Sequence, residues 1–289
     1  MRLRLVPEKT NIDFFWLAPV TVGISGVLVV LSIAAVLLFG LNLGIDFRGG
    51  TTIRTESTLA VDVGAYRAAL NPLGLGDVVI SEVFDPTFEA GRHVAMVRIQ
   101  AQAGDEALSP ATLAEVEAAL VAADPALRIV AVESVGPKVS GELLWSAVLA
   151  VLGATAAILV YIWLRFEWQF AVGAVAALVH DVVVTIGVFA LFQIRFDLAI
   201  IAALLTILGY SINDTVVVFD RLRENLIKYK TTPLRDLMNL SVNETLSRTV
   251  MTTGTTLLAL IALLVLGGDV IRGFVFAITF GIVIGTYSS

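Results

Sequence analysis

Cysteine is missing from this chain of 289 residues. That excludes a disulfide framework, thiolate metal sites and a cysteine nucleophile. Histidine occurs only as His93 and His180, too few for a histidine-built metal centre. Charged side chains make up 15% of the sequence, against about 25% in an ordinary soluble domain. The net charge of −6 comes from acidic residues gathered in one hydrophilic block. No basic stripe accompanies it, so no nucleic-acid partner is expected. A P-loop, a zincin motif, a GxSxG elbow and a dinucleotide fingerprint are all absent. No metal, cofactor, ATP site or enzymatic reaction is therefore expected, and any work the chain performs must draw on an ion gradient or a partner.

What the chain has in excess is apolar surface. Hydrophobic residues form 57% of it and mean hydropathy is +0.90. Runs of about 20 residues, the length needed to cross a bilayer as a helix, fall at about 19–40, 143–164, 169–192, 198–219, 249–266 and 270–287. This predicts a polytopic α-helical membrane protein with six transmembrane helices. The first run is long and no small-residue cleavage site follows it, so a cleaved signal peptide is not expected. Cationic residues cluster before the first span (Arg2, Arg4, Lys9), between the second and third (Arg165), and between the fourth and fifth (Arg221, Arg223, Lys228, Lys230, Arg235). The opposite short loops hold Arg195 and Arg272. A six-span path puts the cationic loops on one side, which predicts cytoplasmic termini. The expected organisation is a cytoplasmic segment 1–18, a first span 19–40, a periplasmic domain 41–141, and the remaining five spans over 142–289. A cytoplasmic amphipathic connection is expected at about 220–243, interrupted near 231–233.

Within the outer block, DFRGGTTIRTEST reads as the start of a strand, followed by a helix over Val61–Leu70, strands at Val78–Phe84 and His93–Gln100 around a turn at 85–92, a helix at Pro110–Ala122 capped by Ser109, and a strand at Leu127–Ser134. The order β-α-β-β-α-β predicts a ferredoxin-like α+β domain.

Several residues do not suit hydrocarbon. Asn213 and Asp214 stand side by side in the fourth run, and Arg248 opens the fifth. An ionisable group there costs roughly 2.5–3.5 kcal/mol on insertion scales, so it is normally kept for a task. On consecutive antiparallel helices the two charges reach similar depth. The pair reads as a structural ion pair, as an arginine snorkelling to the interface, or as an ion-responsive switch in which Asp214 titrates while arginine stays charged. Asp181, mid-way in the third run, is a candidate second relay or a cap on Asn213 and Asp214. His180 reads as a satisfied core hydrogen bond. The hydroxyl-rich NETLSRTVMTTGTT reads as packing or the wall of a wet path. Gly281-Ile-Val-Ile-Gly285 is a small-xxx-small contact pattern, and Gly209 and Gly254 are candidates for close approach or bending.

Taken together, PEKTNIDF (Pro7–Phe14), GIDFRGGT (Gly44–Thr51), SVGPKVSGEL (Ser134–Leu143), HDVVVTIG (His180–Gly187), GYSINDTVVVFDRLREN (Gly209–Asn225), SVNETLSRT (Ser241–Thr249) and GTYSS (Gly285–Ser289) resemble the SecF family of bacterial protein export across nearly the whole chain. The resemblance implies six spans in the inner membrane, one periplasmic domain, and pairing with SecD in an arrangement akin to the resistance–nodulation–division transporters. It implies association with the SecYEG channel and use of the proton gradient, or sodium in some members, to promote preprotein translocation. It also implies that Asp214 and Arg248 belong to the proton pathway, with Asp181 and Asn213 as further candidates, and that Asp46, Gly49 and Gly50 form a structural signature, the glycines turning the chain into its first strand. Members of the family usually continue past the residue equivalent to Ser289. Two other functions stay open at this point: a half-transporter exporting small amphiphiles or lipids, and a scaffold that stabilises the channel without transport.

Overall fold

Apolar segments cross hydrocarbon as helices because every backbone amide must then be satisfied within the segment. Among the described residues, the computed structural model contains six helices long and apolar enough to do so. It describes residues 10–84, 91–101 and 108–289. Arg2, Arg4, Lys9, the first residues of the PEKTNIDF motif and most of the turn expected at 85–92 lie outside the described residues. In chain order the elements are α1 (Phe14–Phe39), the single turn α2 (Ile45–Arg48), β1 (Gly50–Ser57), α3 (Val63–Leu70), β2 (Val78–Val83), β3 (His93–Gln100), α4 (Pro110–Ala123), β4 (Arg128–Val135), α5 (Pro137–Arg165), α6 (Trp168–Leu191), α7 (Leu198–Lys228), α8 (Leu234–Leu266) and α9 (Asp269–Ser288).

The strands form one antiparallel sheet in the order β2-β3-β1-β4, the ferredoxin-like arrangement. Side chains alternate across a strand. Accordingly Ile53, Ala95, Val97 and Ile99 face α3 and α4 and join Tyr66, Leu70, Val116 and Leu120 in a closed core. Thr52, Arg54, Met96 and Arg98 point to the opposite face, toward the ends of the membrane helices. Asp62 and Ser109 cap α3 and α4 by accepting the amides of Ala65 and Thr112 at 2.9 and 3.1 Å.

Two expected boundaries shift. The residues DFR, read as the start of a strand, make one helical turn with Ile45 instead. Gly49, at φ +75°, ends that turn and releases the chain into β1. Asp46 in the turn accepts the amide of Leu198 at 3.1 Å and so caps the start of α7. The connection at 220–243 is not a separate interfacial helix. Nothing between Phe219 and Lys228 breaks a helix, so α7 and α8 run on and meet at a tight turn around Thr231–Pro233. Arg221 bridges Glu224 and Glu244, both at 2.7 Å, and Asn225 donates to Ser241 and Glu244 at 3.0 and 2.8 Å. These contacts lock the two extensions together.

The bundle has two chemically distinct ends. At one, Arg165 pairs with Asp220, Arg235 with Asp13, and Asn243 holds the backbone of Ile12. The cationic connections that hold Arg165 and Arg235 thus share an end with the start of α1. At the other, Leu43 bridges Phe196, Gly44 N–H donates to Phe196 O at 2.8 Å, and Asp269 accepts the amide of Phe84 at 2.7 Å, seating the sheet domain on the helices. Close packing relies on missing side chains. A Cβ on Gly281 would lie 2.2 Å from Ile207, and one on Gly187 2.2 Å from Ser32. The pattern Gly281–Gly285 is therefore a true helix contact, α9 against α7. A Cβ added at Gly209 or Gly254 would meet nothing within 4 Å, so neither glycine serves a close approach among the described residues.

Candidate functional site

Helices α6, α7 and α9 converge because their apolar faces share one core, built on Phe189, Ala203, Ile207, Ala277 and Ile278. Around it, polar side chains that would otherwise face lipid are turned inward. Ser211, Asp214 and Thr215 are buried on one face of α7, as their spacing of three and four residues requires. Asp181 on α6 is fully buried. Its Oδ2 accepts Ser211 Oγ at 2.7 Å from α7 and Ser288 Oγ at 2.9 Å from α9, and its Oδ1 lies 3.0 Å from His180 Nδ1. Gly285 leaves room for this knot, since a Cβ there would sit 3.1 Å from Ser211 and 3.4 Å from Asp181 Oδ2. Asp181 therefore ties three helices together. Among the described residues no hydrogen bond joins it to Asn213 or Asp214; its partners are Ser211, Ser288 and His180. His180 is buried and hydrogen-bonded through Nδ1 as expected, although Nε2 is buried with no partner among the described residues.

Asp214, one turn beyond Ser211, is 3% exposed, and its Oδ2 is buried with no hydrogen-bond partner among the described residues. It stands 14 residues before the end of α7, and Arg248 stands 14 residues after the start of α8. At 1.5 Å per residue both lie about 21 Å from the α7–α8 turn, at the same height. Among the described residues no direct ion pair joins Asp214 and Arg248, and the Arg248 side chain is exposed. Asn213 is also exposed. It follows Thr206 and Gly209 along one uncovered stripe of α7. Among the described residues neither Asn213 nor Arg248 has a side-chain hydrogen-bond partner.

The hydroxyls around Arg248 mostly bond back to their own helix, as Thr252 does to Arg248 O and Thr256 to Thr252 O. Thr253–Thr286 at 3.1 Å and Tyr210–Thr256 at 3.3 Å cross between helices. Of the signature residues, Gly50 sits where a Cβ would meet Ile99 O at 2.4 Å, so the close β1–β3 approach demands glycine. Ser211 and Ser288 were not singled out by sequence reasoning. Ser211 carried a usable signal, a hydroxyl three residues before Asp214 on the same helical face. Ser288 lies within the GTYSS motif, which gives no hint of its partner. Among the described residues no group of three or more His, Asp or Glu could hold a metal ion.

Comparison with known proteins gives this geometry a context. The family described as protein export membrane protein SecD/SecF, C-terminal, matches residues 115–289, and the SecD/SecF GG motif matches residues 34–58. The chain belongs to the SecD/SecF family. Among its SecF relatives, the protein translocase subunit SecF of Cereibacter sphaeroides is 72% identical over 288 residues, covering 100% of this chain and 89% of the relative. That of Rhodobacter capsulatus is 66% identical, covering 100% and 88%. The crystal structure of SecDF from Thermus thermophilus, described as a translocon-associated membrane protein, matches with a TM-score of 0.85 at 38% identity over 100% of this chain. The chain spans 38% of that SecDF chain. The GG motif of the family contains Asp46, Gly49 and Gly50, and the C-terminal family region contains Asp181, Asn213, Asp214 and Arg248.

Proposed function

We propose that this chain is the SecF half of a SecD–SecF pair that uses the proton motive force to promote preprotein translocation through the Sec channel. One observation carries the reading: a buried carboxylate, Asp214, has an unpartnered oxygen at the same height as an unpaired arginine on the adjoining span. A carboxylate so placed binds or releases a proton as the guanidinium moves toward or away from it. Arg248 stays charged throughout, so Asp214 is the titrating member. Each proton moved across 100 mV supplies about 2.3 kcal/mol, enough to bias two packings that differ by a few kcal/mol. The uncovered stripe of Thr206, Gly209 and Asn213 on α7 is the face on which SecD completes the site.

In this reading the end holding Arg165, Arg221 and Arg235 is cytoplasmic, in keeping with the positive-inside rule, and the sheet domain is periplasmic. Asp181 holds Ser211 and thereby fixes the part of α7 that carries Asp214. The protein acts as an accessory subunit rather than an enzyme, with SecD, the SecYEG channel and the emerging preprotein as partners. The test is gradient-dependent translocation into inverted membrane vesicles carrying Asp214→Asn. Loss of the gradient dependence with SecD still bound supports the reading. Retained dependence refutes it, and so does retention when Asp214 and Arg248 are both neutralised, the outcome a passive scaffold predicts.

A further inference from the structure

The sheet face turned toward the membrane helices encloses a cavity of 980 Å³, and a second of 190 Å³ adjoins it through shared walls at Ile45, Arg98 and Arg195. The smaller one has room for about six waters at roughly 30 Å³ each, or for one small oxyanion. Its wall carries Arg48, Arg98 and Arg195 against a single acid, Asp77. The Nε–H groups of Arg98 and Arg195 are buried there and donate to no oxygen within hydrogen-bonding distance among the described residues. Arg98 donates to nothing better than the sulfur of Met96 at 3.5 Å. Arg195 stands 3.6 Å from Asp197, whose other oxygen, Oδ1, is itself buried and unpartnered. Thr52 Oγ1, in the larger cavity, is likewise buried and unpartnered. Four of the buried polar groups without partners thus line one connected space.

Half-burying guanidinium groups beside one another is costly unless an anion lies among them. The cost is visible at Arg98, whose pKa is pushed down to about 10, first by burial and then by the facing charge of Arg195. Gly44 keeps the space open, since a Cβ there would sit 3.2 Å from Arg195 Nε. The smaller cavity is walled in part by Asn42, Leu43, Gly44, Ile45, Arg48 and Gly49, shortly past the last residue of α1, Phe39, and by Arg195 from the loop that joins α6 to α7. That is the level at which the apolar part of a span ends and the polar interfacial layer begins.

We propose that Arg48, Arg98 and Arg195 form a phosphate-binding site at the foot of the sheet domain, which holds that domain against the membrane surface by capturing the phosphodiester of a lipid headgroup. The planar fork of a guanidinium matches a phosphate in two-point contact, and three of them around one small cavity favour a tetrahedral oxyanion over a point-like halide. The site is distinct from Asp214 and Arg248, which lie along the helices rather than at this rim.

The test uses the full chain in phosphate-free detergent, titrated separately with inorganic phosphate, dihexanoylphosphatidylglycerol and dihexanoylphosphatidylcholine, and read by thermal unfolding and by isothermal calorimetry. The phosphate-bearing probes should bind and raise the unfolding temperature. Arg98→Met, which places a second thioether beside Met96, should bind them at least about tenfold more weakly, the loss expected for one charge-assisted contact. It should also unfold no lower than the unsubstituted chain in the absence of phosphate, because an unpaired buried charge has gone. Binding of either lipid more tightly than free phosphate assigns the site to a headgroup; binding of free phosphate alone, or more tightly than either lipid, assigns it to soluble phosphate and refutes the membrane anchor. Equal affinity of the two proteins, or no binding of any probe, overturns the proposal altogether. Should Arg98→Met fail to fold, Arg48→Gln at the exposed rim gives the same comparison without touching the buried wall.

Discussion

Replacing Asp181 separates a helix latch from a proton relay. Asp181→Ala strands the hydroxyls of Ser211 and Ser288, which now bond to Oδ2 from two different helices, and leaves His180 Nδ1 without its partner. Hydrogen bonds between membrane helices average about 0.6 kcal/mol and reach about 1.7, so the two interhelical contacts set a loss of roughly 1–3 kcal/mol. Asp181→Asn should cost less than about 1 kcal/mol. Its amide oxygen keeps two lone pairs for both serines, and its NH₂ can donate to His180 Nδ1. Unfolding in mixed detergent and SDS, followed by tryptophan fluorescence, measures both variants. Alanine should be clearly destabilised and asparagine close to the unsubstituted protein, with gradient-dependent translocation retained by asparagine. Equal destabilisation by the two would mean that the charge, not the acceptor geometry, holds the helices. A stable asparagine variant that loses its gradient dependence would make Asp181 a relay and refute the latch.

Two further outcomes follow from packing and from titration outside the membrane. Gly281→Ala sets a methyl 2.2 Å from Ile207 and should cost about 1–3 kcal/mol through overpacking, offset in part by the better helix propensity of alanine. Adding Ile207→Ala should recover part of that loss, and a double-mutant cycle that is additive within about 0.5 kcal/mol would show that the contact is not made. In the sheet domain, burial works to raise the carboxyl pKa of Asp124. Hydrogen bonds from Ser57, Tyr66 and the amide of Ala126 outweigh it and hold the group below its ordinary value. A carboxyl depressed in the folded state stabilises above its unfolded pKa of about 3.9, and that contribution is lost as pH falls through the folded value. Circular dichroism should therefore show the domain weakening below about pH 4, and Asp124→Asn should flatten that dependence. An unaltered acid limb in the variant would refute it.

The spans and the sheet were readable because both follow from local periodicity. Runs of about 20 apolar residues carried the six helices, and alternation in IRTES and HVAMVRIQ carried β1 and β3, with Ser109 marking the start of α4. What escaped was whatever depends on distant contacts. DFR reads into the first strand, yet with Ile45 it closes a helical turn because Gly49 can stop it and Asp46 can cap α7. The extensions of α7 and α8 looked like an interfacial helix because their pairing, Arg221 with Glu244 and Asn225 with Ser241, spans a turn no pattern announces. Asp214 and Arg248 were legible as ionisable groups in apolar runs. The partners of Asp181 were not, since Ser211 and Ser288 come from other helices, 30 and 107 residues away. Arg98 draws no attention in the sequence and Arg195 counts only as a loop cation; the fold sets both around one cavity.

The most direct measurement of the central claim is the ion current carried by the purified SecD–SecF pair in liposomes under an imposed proton gradient. With Asp214 intact the current should follow the gradient, and with Asp214→Asn in an otherwise assembled pair it should fall to the level of empty liposomes. A current unchanged by that substitution would contradict the assignment of Asp214 as the group through which the pair carries protons.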